Sequence, residues 1–253
     1  MRNVKAIFIK QFKSFFKNPG MYGTPVAFLV IPFLILLLTP GAGEDRGIIV
    51  SQFVLMFSGI SIIGNASYII AEDRDTMNLR FMGMAGVKPW QYLLATSGAL
   101  LLVSIGVLYL FGLMAQYSGE AMMTFMALST LGIACSILLG VTLGLSKLAP
   151  FTMLVALVLG AGPIFAAANE TLANLFRFTY VQQMNIFIRQ TSGAIIEMPD
   201  GTVQIMEGIT VIPNEAIQIM AINAAVLLLI FVVTNLRNGL DGEKLANKRA
   251  AKG

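Results

Sequence analysis

The sequence contains no histidine and a single cysteine, Cys135, among its 253 residues. A zinc site of the usual type needs several histidine or cysteine ligands, so the composition argues against a metal site. A catalytic Ser-His-Asp set is excluded for the same reason. One cysteine forms no disulfide within the chain, and its place in an apolar run favours a packed, unreactive thiol.

Charged residues are also scarce, at 12% of the chain, whereas 57% of the residues are hydrophobic. Soluble domains carry about a quarter charged residues, so this composition predicts an integral membrane protein. Six apolar segments approach or exceed the roughly 20 residues that cross a hydrocarbon core as a helix. They are residues 21–39, 48–71, 90–116, 121–146, 150–168 and 215–235. We therefore predict an all-α membrane protein with six transmembrane helices.

The interior of these six segments carries no Asp, Glu, Lys, Arg or His. Proton-coupled carriers and ion pumps keep ionisable residues inside the membrane, so a channel or ion-coupled carrier is disfavoured. The sequence also has no G-x-x-x-x-G-K-[ST] loop to hold nucleotide phosphates, and no paired carboxylates face a pocket. The chain is therefore not expected to be an enzyme or to bind a cofactor, and any energy source must be a partner.

The basic residues predict the orientation in the membrane. Fourteen of the 17 Lys and Arg residues fall in four places: residues 1–20, 72–89, 147 and 236–253. Basic residues accumulate on the cytoplasmic side, so these regions and both termini are predicted to be cytoplasmic. The net charge of +4 then reflects topology and not a nucleic-acid partner.

The two ends of the chain are predicted to lie at the membrane surface. Residues 1–20 form an amphipathic helix at 100° per residue, with one apolar arc and one basic arc, which is typical of an interfacial elbow helix. The apolar arc holds Val4, Ile7, Phe8, Phe12 and Phe15, and the basic arc holds Lys10, Lys13 and Lys17. Residues 236–253 form a basic cytoplasmic tail that contacts lipid headgroups or nothing.

Residues 169–214 form the longest predicted extracellular link. Its first half is apolar and aromatic, which favours one or two short re-entrant helices dipping into the outer leaflet. Its second half predicts a small hairpin that turns at Pro-Asp-Gly and is flanked by the alternating apolar residues Val203, Ile205, Ile209 and Val211. The link acts either as a cap over the helix ends or as a gate for a substrate.

The polar stretch 72–94 separates the second and third apolar segments. Met77, Phe81 and Met84 recur at helical spacing within it, which predicts a short amphipathic helix at the membrane surface. A solvated loop between two spans is the alternative.

This stretch resembles the cytoplasmic loop of ABC-2 type permeases, the membrane subunits of bacterial ABC exporters. The resemblance is carried by Glu72, Arg74, Thr76 and Met77, followed by Gly-Val-Lys-Pro at 86–89 and Tyr-Leu-Leu at 92–94. Two positions depart from the family pattern: Asp75 stands where a glycine usually precedes the threonine, and Asn78 replaces a frequent glutamate.

The resemblance implies that residues 72–89 form a coupling helix, which in this family sits in a groove of an ATP-binding subunit. The implied contacts to that subunit are Glu72, Arg74, Thr76, Met77, Arg80 and Phe81. It further implies a multi-pass subunit of the bacterial plasma membrane that exports a drug, an antimicrobial peptide or a lipid-like substrate. Two ATP-binding subunits would carry ATP and Mg²⁺, and a second copy or a homologous permease would complete the transporter.

Polar residues within the apolar segments are candidates for a substrate path. Gln52, Asn65 and Asn223 either line such a path or form hydrogen bonds between helices, the commoner use. Gly140 and Gly144 permit close helix approach in the fourth segment. The alternative function is an accessory membrane protein that binds or senses lipid or peptide without transporting it.

Overall fold

The computed structural model describes residues 2–39, 46–146, 148–166, 169–191, 195–197, 203–205 and 214–238. In this part of the chain, six helical segments are long and apolar enough to cross a membrane, which confirms the predicted number. They are Pro19–Leu38, Arg46–Asp75, Pro89–Met114, Gly119–Leu145, Ala149–Ala166 and Glu215–Asn235.

The described residues contain eleven α-helices, two short strands, a π-helical segment and a 3₁₀ turn at Ala149–Phe151. The first six helices are α1 (Arg2–Lys17), α2 (Pro19–Leu38), α3 (Arg46–Met56), α4 (Gly64–Asp75), α5 (Asn78–Met84) and α6 (Pro89–Met114). The other elements are α7 (Gly119–Leu145), α8 (Thr152–Ala166), α9 (Glu170–Phe176), α10 (Tyr180–Thr191), β1 (Ile195–Glu197), β2 (Val203–Ile205) and α11 (Asn214–Asn238). The π-helical turns Phe57–Ile63 join α3 to α4, and we call this continuous unit span 2. Span 2 ends at Asp75, four residues inside the predicted loop.

Span 2 and α7 form the centre of the bundle. In the most apolar stretch of each, 61% of the residues are buried. In the corresponding stretches of α2 and α11, only 17% are buried. A Cβ atom added at Gly140 would lie 2.6 Å from the Ile63 carbonyl oxygen, and one at Gly144 would lie 2.7 Å from that of Ser67. Only glycine fits so close to another backbone, so the two helices make the close approach predicted for this glycine pair.

Helix α1 packs on α6. Its inner face holds Ile7, Gln11 and Phe15, all buried. Its four lysines, Lys5, Lys10, Lys13 and Lys17, are exposed. The amphipathic pattern of this helix therefore places its apolar side against the bundle.

The segment after α8 contains two helices. Helix α9 packs along α8, and α10 contacts α3, α7, α8 and α11 inside the bundle. The Tyr180 hydroxyl lies 2.9 Å from Ser136 Oγ, which lies 2.8 Å from Ser58 Oγ. Ser136 is about 26 Å along α7 from Gly119 at 1.5 Å per residue, so α10 begins deep in the bundle. Its far end lies near the end of α6, where the Tyr117 hydroxyl donates to the Ile188 carbonyl.

The two strands form an antiparallel hairpin in which Ile196 lies opposite Gln204. The predicted strand at Val203 and Ile205 is therefore present, and its partner is Ile195–Glu197. The predicted Pro-Asp-Gly turn and residues 209 and 211 lie outside the described residues, as does the predicted tail beyond Asn238.

Candidate functional site

Helix α5 forms a short platform between span 2 and α6; we call this end of the bundle the α5 end. Helix α4 ends at Asp75. The amide and the hydroxyl of the next residue, Thr76, both donate to the Glu72 carbonyl, at 2.9 and 2.7 Å. Met77 then takes a left-handed conformation, φ 58°, which redirects the chain into α5. Phe81 and Met84 are 60% and 66% exposed on its outer side.

The inner side of α5 is fixed to the bundle by apolar and polar contacts. Leu79 is buried, and Met82 packs against the core as a half-buried side chain. Asn78 donates a 3.0 Å hydrogen bond from Nδ2 to Asp73 Oδ1. A helix of seven residues is too short to be stable alone, so these contacts are what hold α5 in place.

Asp73 is the centre of a buried hydrogen-bond cluster. Its Oδ2 atom accepts a 2.6 Å bond from the Tyr92 hydroxyl and a 3.1 Å bond from Gln11 Nε2. With Asn78, these residues form what we call the Asp73 cluster. The cluster joins α1, α4, α5 and α6 through one carboxyl group.

A buried carboxyl group is tolerated only when hydrogen bonds satisfy its oxygens. Asp73 is 7% exposed and receives three donors, so it meets this condition. Moving α5 away from the bundle would break the bond from Asn78 to Asp73 and withdraw the buried Leu79, which is costly, whereas Gln11 and Tyr92 would keep their bonds to Asp73. Asn78 thereby links α5 through Asp73 to Gln11 on α1 and to Tyr92 on α6.

Arg74 makes a second link at the same end. Its Nη1 atom donates to the carbonyl oxygens of Gly144 and Ser146, at 3.2 and 3.3 Å. These carbonyls lie at the C-terminus of α7, where a cation also interacts favourably with the helix dipole. Nε pairs with Asp75 at 3.2 Å. Arg74 therefore attaches the end of span 2 to the end of α7.

The structure divides the residues predicted to contact an ATP-binding subunit. Glu72 and Phe81 are exposed at the α5 end. The guanidinium of Arg74 and the hydroxyl of Thr76 have partners within the chain. Met77 is half-buried, and the side chain of Arg80 lies outside the described residues. Of the five side chains that the structure describes, Glu72, Thr76 and Phe81 are exposed, and the Thr76 hydroxyl is bonded to the Glu72 carbonyl.

Sequence reasoning did not identify the Asp73 cluster, although two of its members, Asp73 and Gln11, carry a periodic signal. Asp73 follows the buried Ile69 by four residues, and Gln11 follows the buried Ile7 by four. Each polar residue therefore lies on the inward stripe of its helix, where it needs a partner. The identity of that partner is not encoded in the spacing.

A cavity of about 370 Å³ opens between the start of α2, span 2 and the start of α8. We call it the α2–α8 cavity. Its polar lining residues are Thr24, Ser61, Asn65, Ser67, Tyr68 and Thr152. None of its described lining residues carries a carboxylate, ammonium or guanidinium group, so these residues suit an uncharged group that accepts or donates hydrogen bonds.

The three predicted path residues are not brought together. Asn65 lines the α2–α8 cavity and donates a 3.0 Å bond to the Met21 carbonyl. Gln52 is a half-buried residue of α3 and is not part of that lining. Asn223 donates at 2.8 Å to the Phe178 carbonyl, which attaches the turn between α9 and α10 to α11.

No group of three or more Cys, Asp or Glu side chains within the described ranges is placed to hold a metal ion. No protein-family model matches the chain, and neither does any curated protein or solved structure. The link to ABC-2 type permeases therefore stays a prediction drawn from the residues between spans two and three.

Proposed function

We propose that this chain is the membrane subunit of an ABC-2 type exporter in the bacterial plasma membrane. ATP is hydrolysed by two separate subunits that bind at the α5 end, and ATP and Mg²⁺ reside on those subunits. The exported substrate is hydrophobic or amphipathic. The observation that carries the proposal is an exposed short helix, α5, that is joined to three other helices, α1, α4 and α6, by one buried carboxyl group.

Helix α5 has the two properties that a coupling element needs. Its outer side presents Phe81 as an exposed aromatic anchor, the kind of residue that fills a pocket on a partner. Its inner side is held by the Asp73 cluster, so a push on Phe81 displaces α1, span 2 and α6 together and is not absorbed by a loose loop. The predicted cytoplasmic orientation puts this surface where ATP is available.

The α2–α8 cavity supports an uncharged or amphipathic substrate. It lies towards the α5 end, since it includes Gly20 near the start of α2 and Ala71 near the end of span 2. Its polar groups are hydroxyls and one amide. A substrate entering from the cytoplasmic leaflet would place its polar part against Asn65, Tyr68 and Thr152.

A second permease copy, or a homologous permease, is the proposed partner within the membrane. In the most apolar stretches of helices α2 and α11, only 17% of the residues are buried in the bundle. Such faces suit lipid or another apolar helix surface. The alternative function, an accessory protein that binds lipid or peptide without transport, uses the same cavity but needs no partner at α5.

Replacement of Phe81 by alanine tests the proposal. Truncating an aromatic anchor at an interface commonly costs about 2 kcal/mol, and about 1.4 kcal/mol corresponds to a factor of ten in affinity. We therefore expect Phe81→Ala to weaken association with the ATP-binding subunit at least tenfold. Co-purification of that subunit with the tagged full-length chain, together with ATP hydrolysis of the complex, measures the effect.

The matched control is Phe165→Ala. Phe165 is 64% exposed, close to the value for Phe81, and lies at the other end of its span. It should leave association unchanged. If the Phe81 variant associates as strongly as the wild type, α5 is not the coupling element. If the wild-type chain co-purifies with no ATP-binding subunit, the accessory function is favoured.

A further inference from the structure

A second cavity, of about 430 Å³, lies at the end of the bundle opposite α5. It is formed by the end of α2, the end of α6 and the start of α3. Its walls are the apolar side chains of Phe33, Leu36, Leu37, Leu110, Leu113 and Met114. Arg46 and Gln116 supply its polar groups. We call it the Arg46 cavity.

The apolar and polar parts of the Arg46 cavity lie at different depths. Arg46 is the first residue of α3, at the level of the helix ends. Phe33 lies five residues before the end of α2, and Leu110 lies four before the end of α6. At 1.5 Å per residue, the apolar walls therefore reach about 6–8 Å into the bundle. This order, polar outside and apolar inside, is the order of a phospholipid headgroup and its chains.

The cavity is also open on the side that faces the bilayer. Leu37 and Leu113 belong to its walls and are 65% and 50% exposed. Both lie on membrane-spanning helices, so this exposed surface borders lipid chains. A lipid tail reaches the walls without passing through the bundle.

The guanidinium of Arg46 is the group of this cavity that suits an anion. Its Nε atom is shielded from solvent and forms no hydrogen bond within the described part of the chain. A guanidinium pairs well with phosphate oxygens because its planar N–H groups match their spacing. The N-terminus of α3 adds the positive end of a helix dipole at the same place. Glu44 and Asp45 precede Arg46 in the sequence and lie outside the described residues.

We propose that the Arg46 cavity binds an anionic phospholipid from the adjacent leaflet, which the charge distribution predicts to be the outer one. The phosphate pairs with Arg46, and an acyl chain lies along the walls supplied by α2 and α6. None of the described lining residues carries a carboxylate to receive a choline or ethanolamine ammonium group, and the positive charge of Arg46 favours an anionic over a zwitterionic lipid. This site is independent of α5 and of the proposed export function.

Lipid binding to the purified full-length protein in mild detergent tests the proposal. Titration with phosphatidylglycerol or phosphatidylcholine, followed by native mass spectrometry, gives the apparent affinity for each. We expect phosphatidylglycerol to bind more tightly, and Arg46→Gln to weaken its binding about tenfold, as for the loss of a charge-assisted hydrogen bond. Arg46→Lys keeps the charge and should recover part of the affinity, which a folding defect would not allow.

The matched control is Arg177→Gln. Arg177 is an exposed arginine that pairs with Glu215 at 3.2 Å. It should leave phosphatidylglycerol binding unchanged, whereas Leu113→Trp should weaken binding by narrowing the apolar wall. Equal loss with Arg46→Gln and Arg177→Gln would indicate non-specific attraction and overturn the proposal. If Arg46→Gln binds phosphatidylglycerol as tightly as the wild type, the proposal is overturned as well. Arg46 would then pair with a residue of its own chain, for example Glu44 or Asp45, and not with a lipid phosphate.

Discussion

Replacing Tyr92 by phenylalanine removes the shortest hydrogen bond of the Asp73 cluster. The Tyr92 side chain is 2% exposed, and its hydroxyl donates to Asp73 Oδ2 at 2.6 Å. Hydrogen bonds to charged groups contribute about 1.5–3 kcal/mol. We therefore expect Tyr92→Phe to lower the free energy of unfolding by about that amount.

Replacing Asp73 by alanine should cost more. Both Tyr92 and Gln11 would become buried donors without an acceptor, at about 1–3 kcal/mol each, whereas Asn78 is half-buried and has access to water. The expected loss is therefore about 2–6 kcal/mol. In the Asp73→Ala background, Tyr92→Phe should be neutral or stabilising, because it then removes an unsatisfied donor.

Denaturation in mixed micelles of increasing dodecyl sulfate content measures these effects. Trp90, the single tryptophan of the chain, lies in the first turn of α6 and reports on this end of the bundle by fluorescence. The control is Tyr109→Phe on the same helix, where the side chain is 51% exposed, and a shift below about 0.5 kcal/mol is expected.

The reasoning fails if Tyr92→Phe and Tyr109→Phe give the same midpoint. It also fails if Tyr92→Phe has the same effect with and without the Asp73 carboxyl group. In either case the 2.6 Å bond between Tyr92 and Asp73 would contribute nothing to stability.

Two further predictions concern topology and packing. In a Cys135→Ser background, a cysteine that replaces Lys88 should resist a membrane-impermeant thiol reagent in intact cells, whereas one that replaces Asp200 should react. Labelling at position 88 from outside would contradict the predicted orientation. Gly140→Ala should destabilise by about 1–3 kcal/mol, because its Cβ would lie 2.6 Å from a backbone oxygen. Gly106→Ala, with nothing within 4 Å, should be neutral or stabilising by up to about 1 kcal/mol in the same denaturation assay, and equal losses would contradict this packing argument.

The number of spans was predictable because the property that defines a membrane helix is local. About 20 apolar residues in a row are enough to cross the hydrocarbon core, whatever the rest of the chain does. The same holds for α1, whose apolar residues recur at helical spacing. The spacing was only partly right for α5, because Met77 lies before the helix in a left-handed conformation and the side chains packed inward are Leu79 and Met82. The boundary at Asp75 was missed because four consecutive polar residues, 72–75, end the apolar run before the helix ends.

The partners of the buried polar groups were decided only by the tertiary structure. Gln11 and Asp73 are 62 positions apart in sequence, and Ser58 and Ser136 are 78 apart. Helical spacing predicts that a polar side chain points inward. Its hydrogen-bond partner depends on which helices pack together and on their register. That choice is made by packing between distant segments, such as the contact of Gly140 with span 2, and no local pattern contains it.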